Sequence, residues 1–200
     1  MTRNFTEGAN AIVVQAYEDA TRLGHPYLGG EHLLLALAGA DQPAGAVLRE
    51  HGATPERTKA EIVRLSGAGL FGDLDRDALA TVGVDIDAVR ATTEESFGHE
   101  ALARAARAAY PRPRWFDPRR RAFVGPEGAF LPLGPGAGQA LQAAKREAQA
   151  RPGDRPAGVE DLALGVLAVS EGLVPALLAR LGTSGPALSA AIQDRYRQAG

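Results

Sequence analysis

Two hundred residues, 45% hydrophobic and 23% charged, are an ordinary composition for a soluble globular chain and exclude disorder throughout. A formal net charge of -2, with an isoelectric point near 6.1, gives no electrostatic case for bulk binding to nucleic acid or a membrane surface. The absence of cysteine removes disulfides, zinc-thiolate centres and thiol catalysis together and fits a reducing compartment.

The start, Met1-Thr2-Arg3-Asn4-Phe5, has no apolar signal core, and no run of about 18 apolar residues occurs, so no membrane segment and a cytoplasmic location are expected. Residues 9–23 then place Ile12, Val13, Ala16, Tyr17, Ala20 and Leu23 at helical spacing, and Gly24 supplies a left-handed stop. Pro26, Gly29 and Gly30 make the next connection. Glu31 to Ala38 reads as a short helix that is apolar nearly all round and so belongs in the core. After a turn at 39–42, Pro43 suits a first helical turn, and the helix through Val47 and Leu48 closes at Gly52. Thr54-Pro55-Glu56 offers an N-cap, a proline at the first helical position and an early acid, opening a helix that buries Ile62 and Leu65. Residues 1–65 are therefore four short helices with no strand signal.

Residues 66–129 are too long a stretch for a simple loop. Asp75 to Thr81, Asp85 to Phe97 and Glu100 to Tyr110 read as helices, so the insert is expected to be helical over about 75–110. From Pro111 to Arg121, three prolines and five arginines break every period, and about 111–129 reads as a flexible connector. Trp115 and Phe116 among those arginines allow a grip on single-stranded nucleic acid, docking of an acidic protein, or a plain solvated linker. No basic face elsewhere supports the first of these.

Residues 130–200 repeat the opening unit, with helices expected over 138–150, 159–169, 174–181 and 186–197. Ala9, Val13, Ala16 and Ala20 match Ala137, Leu141, Ala144 and Ala148 at one constant offset. One extra loop residue brings Glu31 onto Glu160 and Leu33 onto Leu162, and one more brings Leu48 and Gly52 onto Leu178 and Gly182. The expected fold is all-α: two pseudo-symmetric four-helix repeats joined by a long, partly helical insert.

The segments Phe5-Thr6-x-x-Ala9, Leu23-Gly24-His25-Pro26-Tyr27-Leu28-Gly29-Gly30-Glu31-His32-Leu33-Leu34-Leu35-Ala36-Leu37 and Val47-Leu48-x-x-x-Gly52 resemble the N-terminal (Clp R) repeat domain of Clp-type AAA+ unfoldases, especially ClpC. Within the sequence no Gly-x-x-x-x-Gly-Lys-[Ser/Thr] loop appears, and Lys59 and Lys145 are the only lysines, so no ATPase motif accompanies the resemblance. The resemblance then implies a free-standing, non-catalytic recognition domain for degradation substrates, adaptor proteins, the Clp unfoldase itself or cyclic peptides, acting as adaptor or decoy. It further implies that the motif glutamates, here Glu31 and Glu160, bind phosphorylated arginine, and that Phe5 and its counterpart Leu133 border a peptide groove; by its own chemistry Phe5 reads equally as a simple hydrophobic lid.

Two readings of Glu31 and Glu160 stand side by side. A carboxylate can hold a guanidinium through two parallel hydrogen bonds beside helix N-H groups open to a phosphate; alternatively, an acid simply favours a helix N-terminus. His32 reads as a buried packing residue, and its counterpart Asp161 does not share imidazole chemistry. No metal or other cofactor is expected, since His25, His32, His51 and His99 lack ligand spacing. Other function classes fare worse: Ser66, Ser96, Ser170, Ser184 and Ser189 carry no Gly-x-Ser-x-Gly signature of an enzyme. A DNA- or RNA-associated regulator would need a recognition helix rich in Arg, Asn or Gln, where these helices are alanine-rich or apolar.

Overall fold

Apolar residues at helical spacing fold into eight helices among the described residues: α1 Glu7–Arg22, α2 Gly30–Ala38, α3 Pro43–Glu50, α4 Pro55–Ser66, α5 Pro135–Gln149, α6 Val159–Leu167, α7 Leu173–Arg180 and α8 Gly185–Ala199. The computed structural model describes residues 4–66, 122–124, 130–153, 155–170 and 172–199, with isolated positions at 83, 88, 92, 95 and 96. The helices expected over about 75–110 and the connector over about 111–129 otherwise lie outside the described residues.

Local chemistry sets the helix ends. Thr6 caps α1, its hydroxyl accepting from the Ala9 N-H at 3.3 Å, and Pro43 and Pro135 occupy first turns where a missing N-H costs little. Pro135 starts α5 three residues before the expected Gly138. Left-handed glycines recur in register, Gly24 with Gly153 and Gly52 with Gly182, at φ of 70°, 93°, 84° and 81° respectively.

The core is continuous across both repeats. All nine residues of α2 are buried, and α6 is buried from Asp161 to Leu167, as helices apolar all round must be. α2 packs on α1, α3 and α4 of its own repeat and on α5, α6 and α7 of the other. α8 lies on α3 and α7 on α4, with Arg195 to Glu50 (2.6 Å) and Arg180 to Glu61 as ion pairs across the boundary.

Two backbone bridges stitch the repeats reciprocally. Phe5, before α1, bridges Ala157, before α6; Leu133, before α5, bridges Leu28, before α2. The hydrogen bonds are Thr6 N-H to Ala157 O (2.9 Å), Ala157 N-H to Asn4 O (2.9 Å), Leu28 N-H to Pro132 O (2.9 Å) and Gly134 N-H to Leu28 O (2.8 Å).

Within the stretch read as a flexible connector and at its boundary with the second repeat, Ala122–Val124 (β1) pairs antiparallel with Phe130–Pro132 (β2), Ala122 opposite Pro132. Part of the expected connector is thus a strand. Two three-residue strands are too short for alternation to show, and the intervening sequence Gly125-Pro126-Glu127-Gly128-Ala129 reads equally as linker or turn. No helix among the described residues is long and apolar enough to cross a membrane.

Candidate ligand site

Glu31 and Glu160 occupy the same place, the second residue of α2 and of α6, each after an N-cap glycine, Gly29 or Gly158. The third residue differs, His32 against Asp161, but performs the same task. His32 Nδ1 accepts the Gly29 N-H at 3.0 Å, and Asp161 Oδ2 accepts the Gly158 N-H at 2.8 Å. Each therefore satisfies an N-cap donor from inside the first turn. His32 is the buried, hydrogen-bonded packing residue that its place in an apolar helix suggests, at 0% exposure. Asp161 nevertheless shares its chemistry as a cap acceptor, a likeness that the residue types alone do not suggest.

The two carboxylates sit in opposite electrostatic settings. Glu31 is 4% exposed and folds back over the N-cap; a Cβ at Gly29 would lie 2.0 Å from its Oε1, so only glycine admits it there. Its Oε1 has no hydrogen-bond partner and lies 3.5 Å from His32 Nδ1, whose lone pair already receives the Gly29 proton. Burial raises the Glu31 carboxyl above the usual carboxylate range, opposed by its own backbone N-H. Tyr27 is near enough that burial, and then the Glu31 charge, raise its phenol.

Glu160 instead holds a guanidinium in a two-point grip, Arg151 Nη1 to Oε2 at 2.6 Å and Nη2 to Oε1 at 2.5 Å. Arg155 Nη2 meets the fully buried Asp161 Oδ1 at 3.0 Å, and Arg151 Nη2 is 3.9 Å from the same oxygen. Tyr196 completes the group: burial raises its phenol first and the Glu160 charge adds to that.

His25, Glu31 and His32 bring three potential ligand atoms within 4.8 Å, a cluster that sequence spacing did not reveal. His32 has no lone pair to spare, however. With Nδ1 accepting from Gly29, Nε2 carries the proton and donates to His25 Nδ1 at 2.7 Å; a cation in that gap would require an imidazolate. The chemistry of the cluster is that of a buried proton-sharing pair.

Burial, and after it the charge of a protonated His25, holds the His32 pKa well below 6.5. Between that depressed folded value and the unfolded value of about 6.5, the unfolded chain binds more protons, so stability falls as pH drops below about 6.5. One proton gives at most about 1.4 kcal/mol per pH unit. Glu31, with its raised folded value, works oppositely, gaining stability as pH falls through that value towards about 4.5. Urea titrations at stepped pH are expected to show the first slope just below pH 6.5, and His32→Gln to flatten it; an unchanged slope in that variant would assign the proton elsewhere.

Phe5 and Leu133 come to the reciprocal bridges. Phe5 is 9% exposed within the core, with Lys145 Nζ of the other repeat 5.6 Å above its ring, and Leu133 packs half-buried against the same core. A separate cleft of about 540 Å³ lies between α1, α2, the turn after α2 and α4, with Asp19, Asp41, Glu56 and Lys59 on its rim. Glu31, Glu160, Phe5 and Leu133 all lie away from it. Arg151 and Arg155 were missed by sequence reasoning; the signal for them was the doubled acid Glu160-Asp161, which once buried requires cations nearby.

Residues 4–69 match the Clp repeat (R) N-terminal domain family. The chaperone protein ClpC of pea (Pisum sativum) chloroplasts is 33% identical over 95 residues, covering 47% of this chain and 10% of that protein. Chloroplastic ClpC1 of rice (Oryza sativa subsp. japonica) is 38% identical over 64 residues, 32% of this chain and 7% of that protein. The match thus spans about a tenth or less of these relatives' length. Among solved structures, the N-terminal domain of the chaperone ClpD from Arabidopsis thaliana superposes with a TM-score of 0.52 at 19% identity, over 98% of this chain and 97% of that one. The Hsp104 N-terminal domain from Candida albicans gives 0.54 at 14% identity, over 94% and 89%. The second repeat, outside the family match, adopts the same helical order as the first. Residues 4–69 are therefore a Clp repeat (R) N-terminal domain, and the described residues share the predominantly helical fold of the ClpD and Hsp104 N-terminal domains.

Proposed function

We propose that this chain is a non-catalytic recognition module of a Clp protease system, binding degradation substrates, adaptors or Clp-directed peptides as adaptor or decoy, with arginine side chains, phosphoarginine foremost, as the recognised chemistry. The observation that supports this most directly is the two-point grip of Glu160 on a guanidinium at the first turn of α6. A carboxylate at that position has the reach and orientation for arginine, and Glu31 stands at the equivalent position with an unpartnered buried oxygen. Phosphate on the same arginine would meet first-turn N-H groups, which favour an anion.

Titration calorimetry with phosphoarginine, against unmodified arginine, tests the reading. Selective binding is expected in the wild type and at least a hundredfold loss in Glu31→Ala/Glu160→Ala with the helical circular dichroism retained. Equal affinity in the folded double variant would reject both roles.

A further inference from the structure

The geometry points to Arg151 as a built-in competitor: its guanidinium occupies the Glu160 carboxylate, so the second-repeat site opens to an arginine from another chain only when Arg151 leaves. The inference rests on the reading of Glu160 as an arginine site and adds its regulation. Three observations carry it. The grip uses both terminal guanidinium nitrogens on both carboxylate oxygens, the arrangement an incoming arginine would need, so the two cannot be held together. Arg151 lies not on a helix but on the short α5–α6 connection, beside Gly153 at φ 93°, and its side chain is 38% exposed, so departure breaks no helical backbone and no core packing. The charges it leaves remain partly answered: Arg155 stays 3.0 Å from Asp161, and Glu147, one turn back on α5, already attracts Arg151 and offers it a second carboxylate.

Repeat one has no such competitor. Glu31 there is covered by burial and has no arginine partner among the described residues. The repeats are thus closed by different means, one by a tethered cation and the other by packing. A ligand tethered through a short flexible connection acts at an effective concentration of about millimolar. A free guanidinium must out-compete it, and removing the tether removes that competition.

The test uses the full chain with methylguanidinium and, separately, phosphoarginine as probes, in the wild type, Arg151→Ala, Arg151→Gln and Arg151→Ala/Glu160→Gln, by calorimetry and by the amide resonances of Val159 and Glu160. Both single variants are expected to bind methylguanidinium at least tenfold more tightly than the wild type, with those two amides shifting, and the double variant to lose the gain. A folded Arg151→Ala that binds no more tightly than the wild type, or a gain that persists without Glu160, overturns the inference. Should methylguanidinium gain while phosphoarginine binds no variant, the masking stands and the phosphoarginine reading falls. Should phosphoarginine bind the wild type and Arg151→Ala with the same affinity, the masking falls and the phosphoarginine reading stands.

Discussion

Gly165→Ala is expected to cost about 3 kcal/mol of stability, lowering the urea midpoint with little change in slope and the Tm by about 6–12 °C. Gly165 sits in α6 where α5 crosses it: a Cβ there would lie 2.4 Å from the Ala140 carbonyl oxygen and 2.6 Å from the Ala144 nitrogen. Both atoms belong to the backbone of α5, so no rotamer change relieves the contact. The helices must separate, and that parting would open packing around Ala140, Ala144 and Leu162, all buried. Gly138→Ala is the control. Lying in α5, Gly138 faces open space, with nothing within 4 Å of its would-be Cβ, and the variant is expected to gain about 0.5–1 kcal/mol from the usual helical preference for alanine. Equal midpoints for the two variants would refute the close crossing.

His32→Asp is expected to be at least as damaging, costing about 3–5 kcal/mol at pH 8. The change copies what the second repeat carries at the same place, so the side chain is not foreign to the fold and can still accept the N-cap N-H. Asp161, though, has Arg155 at 3.0 Å and Arg151 at 3.9 Å, whereas position 32 is fully buried beside Glu31, itself 4% exposed and with no ion-pairing Arg or Lys among the described residues. Two carboxylates would share one dry pocket. Working at pH 8 removes the escape of an ordinary imidazole, of pKa about 6.5, taking up a proton to pair with the new acid. Acidification should restore much of the loss as the acid protonates. Denaturant midpoints at pH 8 and pH 5 check both parts; a variant as stable as the wild type at pH 8 would mean that the pocket admits water or a cation.

The helices were legible because their faces repeat at 3.6 residues and their ends are written in Gly24, Pro43, Gly52, Thr54 and Pro55. Likewise, Glu31 and Glu160 could be aligned because the repeats keep register through single-residue loop changes. Their partners could not. Arg151 is nine residues from Glu160 across a glycine turn, and only the α5–α6 connection decides which carboxylate it meets. His25 and His32 are joined by the path of a loop through Pro26, to which periodicity is blind. The strand pair escaped because three residues are too few for alternation to register. Sequence reasoning identified the carboxylates but not their charge balance, which is a property of loops.

The reciprocal bridges, Phe5 to Ala157 and Leu133 to Leu28, have the exchange symmetry of an isologous dimer, in which each subunit gives the other what it receives. Two separate copies joined that way would be bound to one sequence, because any change would appear on both sides of the interface at once. A covalent link lifts that restriction. One half can carry a carboxylate where the other has a neutral imidazole and recruit arginines to balance it, while its counterpart keeps an arrangement without them. The single chain thus behaves as a heterodimer made from one duplicated half, with two first-turn carboxylates free to diverge in what surrounds them.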